Sequence, residues 1–199
     1  PPGIYAGISV PGPEAGIAIS GARVVLEGLT INGTGGTVGV SATTTSEVYM
    51  NNCAISNLAT AIDLDASQAY INDTELRDIP SVGISVAAAS LAILSRIHFV
   101  NTAIGVRTDD GNVTIVDSAM NGGTIGVRAG VTAGTTDLVA IHRSLVAEMS
   151  ADGIYVTATG AGSTSNVDML GSTLTRNGGN GIAVNTTSPG AATVVVADS

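Results

Sequence analysis

Sixteen Asp and Glu residues stand against seven Arg and no Lys, so any chemistry in this chain starts from carboxylates. Asp63 and Asp65 are one residue apart, and Asp109 and Asp110 are adjacent. Cleaving a glycosidic bond takes two carboxyl groups about 5 to 10 Å apart across it. Asp63 and Asp65 fall on one strand-like segment, with no partner carboxylate in the next repeat. Asp109-Asp110 follows Arg107 in a turn-like stretch and reads as a solvated, structural pair. With Arg107, Arg128 and Tyr155, these four carboxylates are the residues that could line a groove and hold a ligand. A calcium site would need several oxygens converging from neighbouring segments. None stands out, so no metal or other cofactor is expected, with calcium entering only if the chain is a polysaccharide-active enzyme. His98 and His142 share no motif with a Ser or Cys nucleophile, and the metal spacings Cys-x-x-Cys and His-x-x-x-His are absent. Gly33 to Gly36 precedes no helix start and reads as a turn, not a phosphate loop. No catalytic residue is assigned.

The charge balance narrows the partners. A formal net charge of −9 with no basic cluster argues against nucleic acid, where positive charge supplies most of the affinity. It also disfavours anionic membranes. No apolar run reaches the roughly 20 residues of a membrane span. One cysteine leaves the redox compartment open. A polysaccharide or another protein remains as a partner.

These side chains must be positioned by a core of unusual make-up. Hydrophobic residues are 44% of the chain, yet Phe occurs once and Trp never, while Gly numbers 26. Val, Ile, Leu, Met and Ala must fill the interior. They recur with a period of 20 to 29 residues. One mark is Gly-Ile-x-Val or a relative of it, with its first apolar residue at Ile17, Val38, Ile62, Ile84, Ile104, Ile125, Ile154 and Ile182. The other places inward residues at offsets 0, 2, 5 and 7, as in Val24, Leu26, Leu29, Ile31 and again in Val48, Met50, Cys53, Ile55. Alternation by two means strands with one buried face. The step from offset 2 to offset 5 requires a two-residue bend. Each repeat thus holds three short strands. Since it cannot bury its own apolar face, it must stack on its neighbours about 4.8 Å away. The expected fold is all-β, a right-handed single-stranded parallel β-helix of about eight rungs. Residues 1–199 read as one such domain. Pro1 runs almost directly into strand residues and Ser199 stops mid-rung, so the chain reads as a piece of a longer protein with open ends suited to end-to-end contact.

Stacking turns equivalent positions into columns. The second bend position reads Gly28, Asn52, Asp73, Arg96, Asp117, Arg143, Gly171, Asp198, which predicts a charge-alternating structural ladder from Asp73 to Arg143. Offset 5 reads Leu29, Cys53, Thr74, Ile97, Ser118, Ser144, Ser172, Ser199, a column of small hydroxyls in which Cys53 is a buried packing residue. Val25, Tyr49, Tyr70 and Ile93 form an outward apolar stripe, expected to lie under a loop or a chain end. His98 follows Glu75 in another outward column, which suggests a hydrogen bond or ion pair.

These features resemble bacterial right-handed parallel β-helix repeat proteins of the pectate-lyase-like fold. The resemblance spans essentially the whole chain, with Pro2–Val10 like the lead-in of that group and Leu26–Gly33 like its first full rung. That fold often carries an Asn ladder at the tight bend, where Asn52, Asp73, Asp117 and Asp198 sit here. It hosts lyases, hydrolases, epimerases and adhesins, so it implies architecture more than activity. In its enzymes, substrate lies along the Gly-Ile-x-Val strand. The outward residues expected there are Ala18, Gly39, Asp63, Ser85, Gly105, Gly126, Tyr155 and Ala183, a nearly blank face. The next outward column is expected to read Ser20, Ser41, Asp65, Ala87, Arg107, Arg128, Thr157, Asn185. Asp109-Asp110 is similar to the paired aspartates of polygalacturonases, but their Gly-His-Gly and Arg-x-Lys motifs are missing. Three longer corners, 129–137, 157–166 and 185–192, are expected to build a wall beside the face. Together these features suggest a non-catalytic extracellular or cell-envelope scaffold for display or binding of a glycan or protein. A polysaccharide-active lyase, hydrolase or epimerase is the alternative.

Overall fold

The computed structural model describes residues 6–87, 89–132 and 134–198. Pro2 to Tyr5 of the lead-in segment and Ser199 of the hydroxyl column lie outside the described residues. The chain winds into a parallel β-helix with one sheet of eight strands and one of thirteen, every pairing parallel and made between successive rungs.

The eight-stranded sheet takes one strand per rung, from Arg23–Glu27 to Ala191–Ala197. Its register is set by the large apolar residues at offsets 0 and 2: Val24 pairs with Val48, Val48 with Ala69, and so on to Val194. Inside, aliphatic side chains and the single Phe99 form one continuous core.

The bend after this strand is a left-handed residue in every rung: Gly28, Asn52, Asp73, Arg96, Asp117, Arg143, Gly171 and Asp198 have φ between 47° and 64°. Gly, Asn and Asp take this conformation readily, whereas Arg does so only with strain. The two arginines are compensated by bidentate bonds to the Asp one rung earlier. Arg96 donates to Asp73 at 2.6 and 2.7 Å, and Arg143 to Asp117 at 2.8 and 3.0 Å. Those bonds hold both carboxyls below the usual range. The corner therefore carries two discrete pairs, with no bond from Arg96 forward to Asp117. Asn52 stands one rung before Asp73, outside both pairs.

The bend also withdraws an amide from the sheet, and the offset-5 hydroxyls take it up. Ile97 N–H donates to Ser118 Oγ at 3.0 Å, Ser118 N–H to Ser144 Oγ at 3.1 Å, and Ser144 N–H to Ser172 Oγ at 3.1 Å. Each hydroxyl in turn donates to a carbonyl two residues back, as Ser118 does to Val116 at 2.8 Å. The Cys53 thiol plays that part at 3.3 Å from Asn51 O, and burial pushes its pKa up.

Three expectations change. In the middle rungs the second and third strands run together as Glu75–Val86, His98–Asp109 and Ala119–Val131, because one or two residues of positive φ (Asp78, Asn101, or Gly122 with Gly123) turn the corner without breaking the ladder. The outward stripe is open to solvent at its ends, with Val25 68% and Ile93 37% exposed, and the half-buried Tyr49 and Tyr70 rings stack on each other at 4.9 Å with the Arg23 guanidinium 4.9 Å above Tyr49. Glu75 bonds Arg77 along its own strand instead of His98.

Candidate functional site

The Gly-Ile-x-Val strand is placed by its glycines. Gly16, Gly39, Ala61, Gly83, Gly105, Gly126, Gly153 and Gly181 stack in one inward column. A Cβ added at Gly39, Gly83, Gly105, Gly126 or Gly153 would lie 2.5 to 2.7 Å from the carbonyl oxygen of the next rung. This close approach fixes the register: Val106 and Val127, not Ile104 and Ile125, stack beneath Ile84.

The outward column is therefore not the blank one expected. It reads Ala18, Ser41, Asp63, Ser85, Arg107, Arg128, Tyr155, Ala183. Asp63, Ser85, Arg107, Arg128 and Tyr155 follow one another on five successive rungs, about 4.8 Å apart. Gly39, Gly105 and Gly126 face inward. Asp65 shares its column with Asp109 two rungs on, by way of Ala87, and not with Arg107.

Arg107 is spent between this column and the next. Its Nε lies 2.7 Å from Asp109 Oδ2 on the same strand, without the alignment of a hydrogen bond, and a terminal nitrogen donates to Ser85 Oγ at 3.2 Å. Tyr155 OH accepts from Asn185 Nδ2 at 3.2 Å. Asp110 turns away to close the neighbouring corner, accepting from Thr132 N–H and Thr132 Oγ1 at 3.0 Å each and from Thr135 Oγ1. Burial pushes its carboxyl up, but these bonds outweigh burial and hold it below the usual range. Asp109 and Asp110 thus make separate contacts, one to Arg107 and the other to Thr132 and Thr135.

All seven arginines lie among the described residues, and six stand within 4.0 Å of a carboxylate: Arg23, Arg77, Arg96, Arg107, Arg143 and Arg176. Arg128 alone has no such partner among the described residues. It is exposed and borders a shallow cavity of about 220 Å³ with Asp109, Asp110, Thr132, Thr157 and Thr159.

Among the described residues no loop wall forms: only short turns separate Thr159 from Thr164 and Thr187 from Ala191, and Ala133 of the first corner lies outside the described residues. The extra residues lengthen the flanking strands instead, since Thr and Val pair well with the next rung. Behind the first corner lies Asp137, which is fully buried. Its Oδ2 accepts from Thr108 Oγ1 at 2.7 Å, and the buried Ser165 is its register partner one rung on. Burial pushes this carboxyl above its usual range.

A model of the right-handed beta helix region matches residues 15–196. The chain belongs to this right-handed β-helix family. No curated protein sequence matches it. Among solved structures it is similar to the catalytic domain of a GH87 alpha-1,3-glucanase in complex with nigerose, and to a substituted form of that domain with the same ligand. Identity is 9% and the TM-score 0.28 in both, over 94% of this chain and 64% of theirs. The chain thus spans under two thirds of those chains, and a likeness so distant says nothing about its chemistry.

In this β-helix no three of the described His, Cys, Asp and Glu side chains group as metal ligands. One polar row escaped the sequence reading. Five residues beyond six of the eight bends stands a second left-handed position, with φ of 57° at Asn57, 53° at Asp78 and 53° at Asn101. The constant interval of five and the left-handed-tolerant residue types were its signal. The row lines a groove of about 540 Å³, larger than the cavity at Arg128.

Proposed function

We propose that this chain is a binding β-helix of the extracellular space or cell envelope that holds an acidic polysaccharide strand along the column from Asp63 to Tyr155 without cleaving it. The observation that carries the reading is Arg128. In a chain of net charge −9, every other arginine is neutralised by a carboxylate of its own. Arg128 keeps an exposed guanidinium mid-column, where a fork of N–H donors suits a sugar carboxylate. Tyr155, one rung on, adds an apolar ring edge and a hydroxyl. The column is one residue wide and ends in Ala18, Ser41 and Ala183, which fits an extended polymer better than a protein surface. Cleavage would call for a protonated, accessible carboxyl beside the bond. Asp109 is tied to Arg107, Asp110 is held ionised in its turn, and the carboxyl pushed upward, Asp137, is sealed inside.

Calorimetric titration with hexagalacturonate tests this. Binding should weaken about tenfold or more in Arg128→Ala and fall with added salt. Unchanged affinity in that variant would overturn the reading. So would the release of new reducing or unsaturated ends from acidic polysaccharides, which would favour the enzyme alternative.

A further inference from the structure

The 540 Å³ groove lies on the same three long strands as Ser85, Arg107 and Arg128, but four to seven residues earlier, roughly 13 to 23 Å measured along an extended strand. Its origin is a bulge. Between Ile79 and Val82 the Glu75–Val86 strand carries one residue more than its neighbour, and the amides of Ser81 and Val82 both donate to Ala59 O, at 3.2 and 3.1 Å. Pro80, which has no amide to lose, occupies the bulge. Asn57, Asp78 and Asn101 edge the groove on three successive rungs, and Pro80, Ala103 and Thr124 help form its floor and far side.

The groups on that edge are only partly used. Asn101 Nδ2 donates to Asp78 Oδ1 at 2.7 Å, and Asn57 Nδ2 donates to Asn32 Oδ1 at 2.7 Å. Each amide nitrogen bears a second hydrogen, and each amide carbonyl and the other Asp78 oxygen can still accept. The groove therefore offers donors and acceptors alternating at the rung spacing, beside apolar carbon from Pro80 and Ala103. It bears one carboxylate and no cation: no arginine lines it, and nearby Arg77 is turned onto Glu75. A volume within the 300 to 1,000 Å³ typical of ligand sites, a mixed polar edge and no positive charge suit a polyhydroxyl ligand without anionic groups.

We infer that the groove along Asn57, Asp78 and Asn101 is a second binding site, for a neutral oligosaccharide, chemically distinct from the Arg128 column and independent of the reading given to that column. The vicinal hydroxyls of a sugar bridge the amides and the carboxylate, and ring C–H faces lie on Pro80 and Ala103.

The test is calorimetric titration of the intact protein with cellohexaose and with maltohexaose. Two variants probe the groove. Asn101→Gly removes the amide while keeping a residue at ease with positive φ, and Thr124→Trp fills the groove from an exposed position. Thermal melts of both variants verify that they remain folded. At least one neutral hexasaccharide should saturate the protein at millimolar concentration or below, bind at least tenfold more weakly to both variants, and bind Arg128→Ala unchanged. The inference is overturned if neither sugar binds at about 10 mM, or if Thr124→Trp binds as well as the parent. It is equally overturned if Arg128→Ala abolishes the binding, which would assign the neutral sugar to the other face. Hexagalacturonate reports on the Arg128 column separately, so failure of one site is not mistaken for failure of the other.

Discussion

Replacing Gly126 by alanine tests whether close approach of the backbone, rather than the apolar marks, sets the rung register. The added Cβ would sit 2.2 Å from Val146 Cγ1 and 2.7 Å from Gly153 O. Val146 is 1% exposed and β-branched, so it has little room to rotate. The Gly153 carbonyl is a ladder acceptor for Val127 N–H at 3.0 Å, so moving it costs a sheet hydrogen bond. Overpacking of this kind costs about 1 to 3 kcal/mol, and with backbone among the colliding atoms the upper end applies. For a chain of this length each kcal/mol lowers Tm by roughly 2 to 4 °C, so the expected fall is roughly 6 to 12 °C. Differential scanning calorimetry measures it. Adding Val146→Ala removes only the side-chain collision and should not restore the parent Tm. Gly7→Ala is the control, because its Cβ would meet nothing within 4 Å, and its Tm should stay within about 2 °C. A Gly126→Ala protein melting with the parent would refute the account of the register.

Other outcomes follow from the interior and the corner. Ser144→Ala leaves the buried Ser118 N–H without its acceptor and should cost about 1 to 3 kcal/mol, read from chemical denaturation. Cys53→Ser, which puts into the column the hydroxyl its neighbours already carry, should change stability by less than about 1 kcal/mol, and native Cys53 should resist a thiol reagent until the protein unfolds. Asp137 carries a pH dependence of definite sign. Its folded pKa is raised above the unfolded value of about 3.9, so its contribution is intact below that value and is lost as pH rises through the folded pKa. Asp137→Asn should remove this decline and, near neutral pH, raise stability. Melts from acid to neutral pH that fall equally steeply in both proteins would contradict it.

The sequence made the first strand and the tight bend legible because large apolar residues alternate there and Gly, Asn and Asp mark the left-handed turn. The Gly-Ile-x-Val strand was misaligned in three rungs for a definite reason. A shift of two residues keeps every side chain on its own face, so the hydrophobic pattern reads the same before and after it. Ile104-Gly105-Val106 carries an apolar residue on each side of its glycine, and only contact with the carbonyl of the next rung decides between them. Aligned on glycine, the column recurs at 21 to 23 residues through Gly126 and at 27 and 28 beyond. Arg107 and Arg128 then join Asp63 and Tyr155 in one line, the arrangement the sequence reading missed. The three long corners misled by composition: Gly, Ala, Ser and Thr suggested loops, but Thr157–Thr159 and Asn185–Thr187 pair rung to rung. The groove edge was readable as residues five beyond three successive bends, yet the bulge at Pro80 that hollows it lies in how two strands of unequal length meet.

The serine joint has a further consequence for how such a protein can change length. The amide of one turn is completed by the hydroxyl of the next, and that next turn repeats the arrangement. Excising residues 118–143 would lay Ile97 N–H against Ser144 Oγ and leave Asp117, a left-handed bend residue already, facing Arg96 on one side and Gly171 on the other. Both serine joints would again be whole, while Asp110 would lose Thr132 and Thr135 and Thr108 would lose Asp137. At the serine joint the turns are interchangeable parts, and the spool can be shortened or lengthened there by one turn at a time, with only the opposite corner left to readjust.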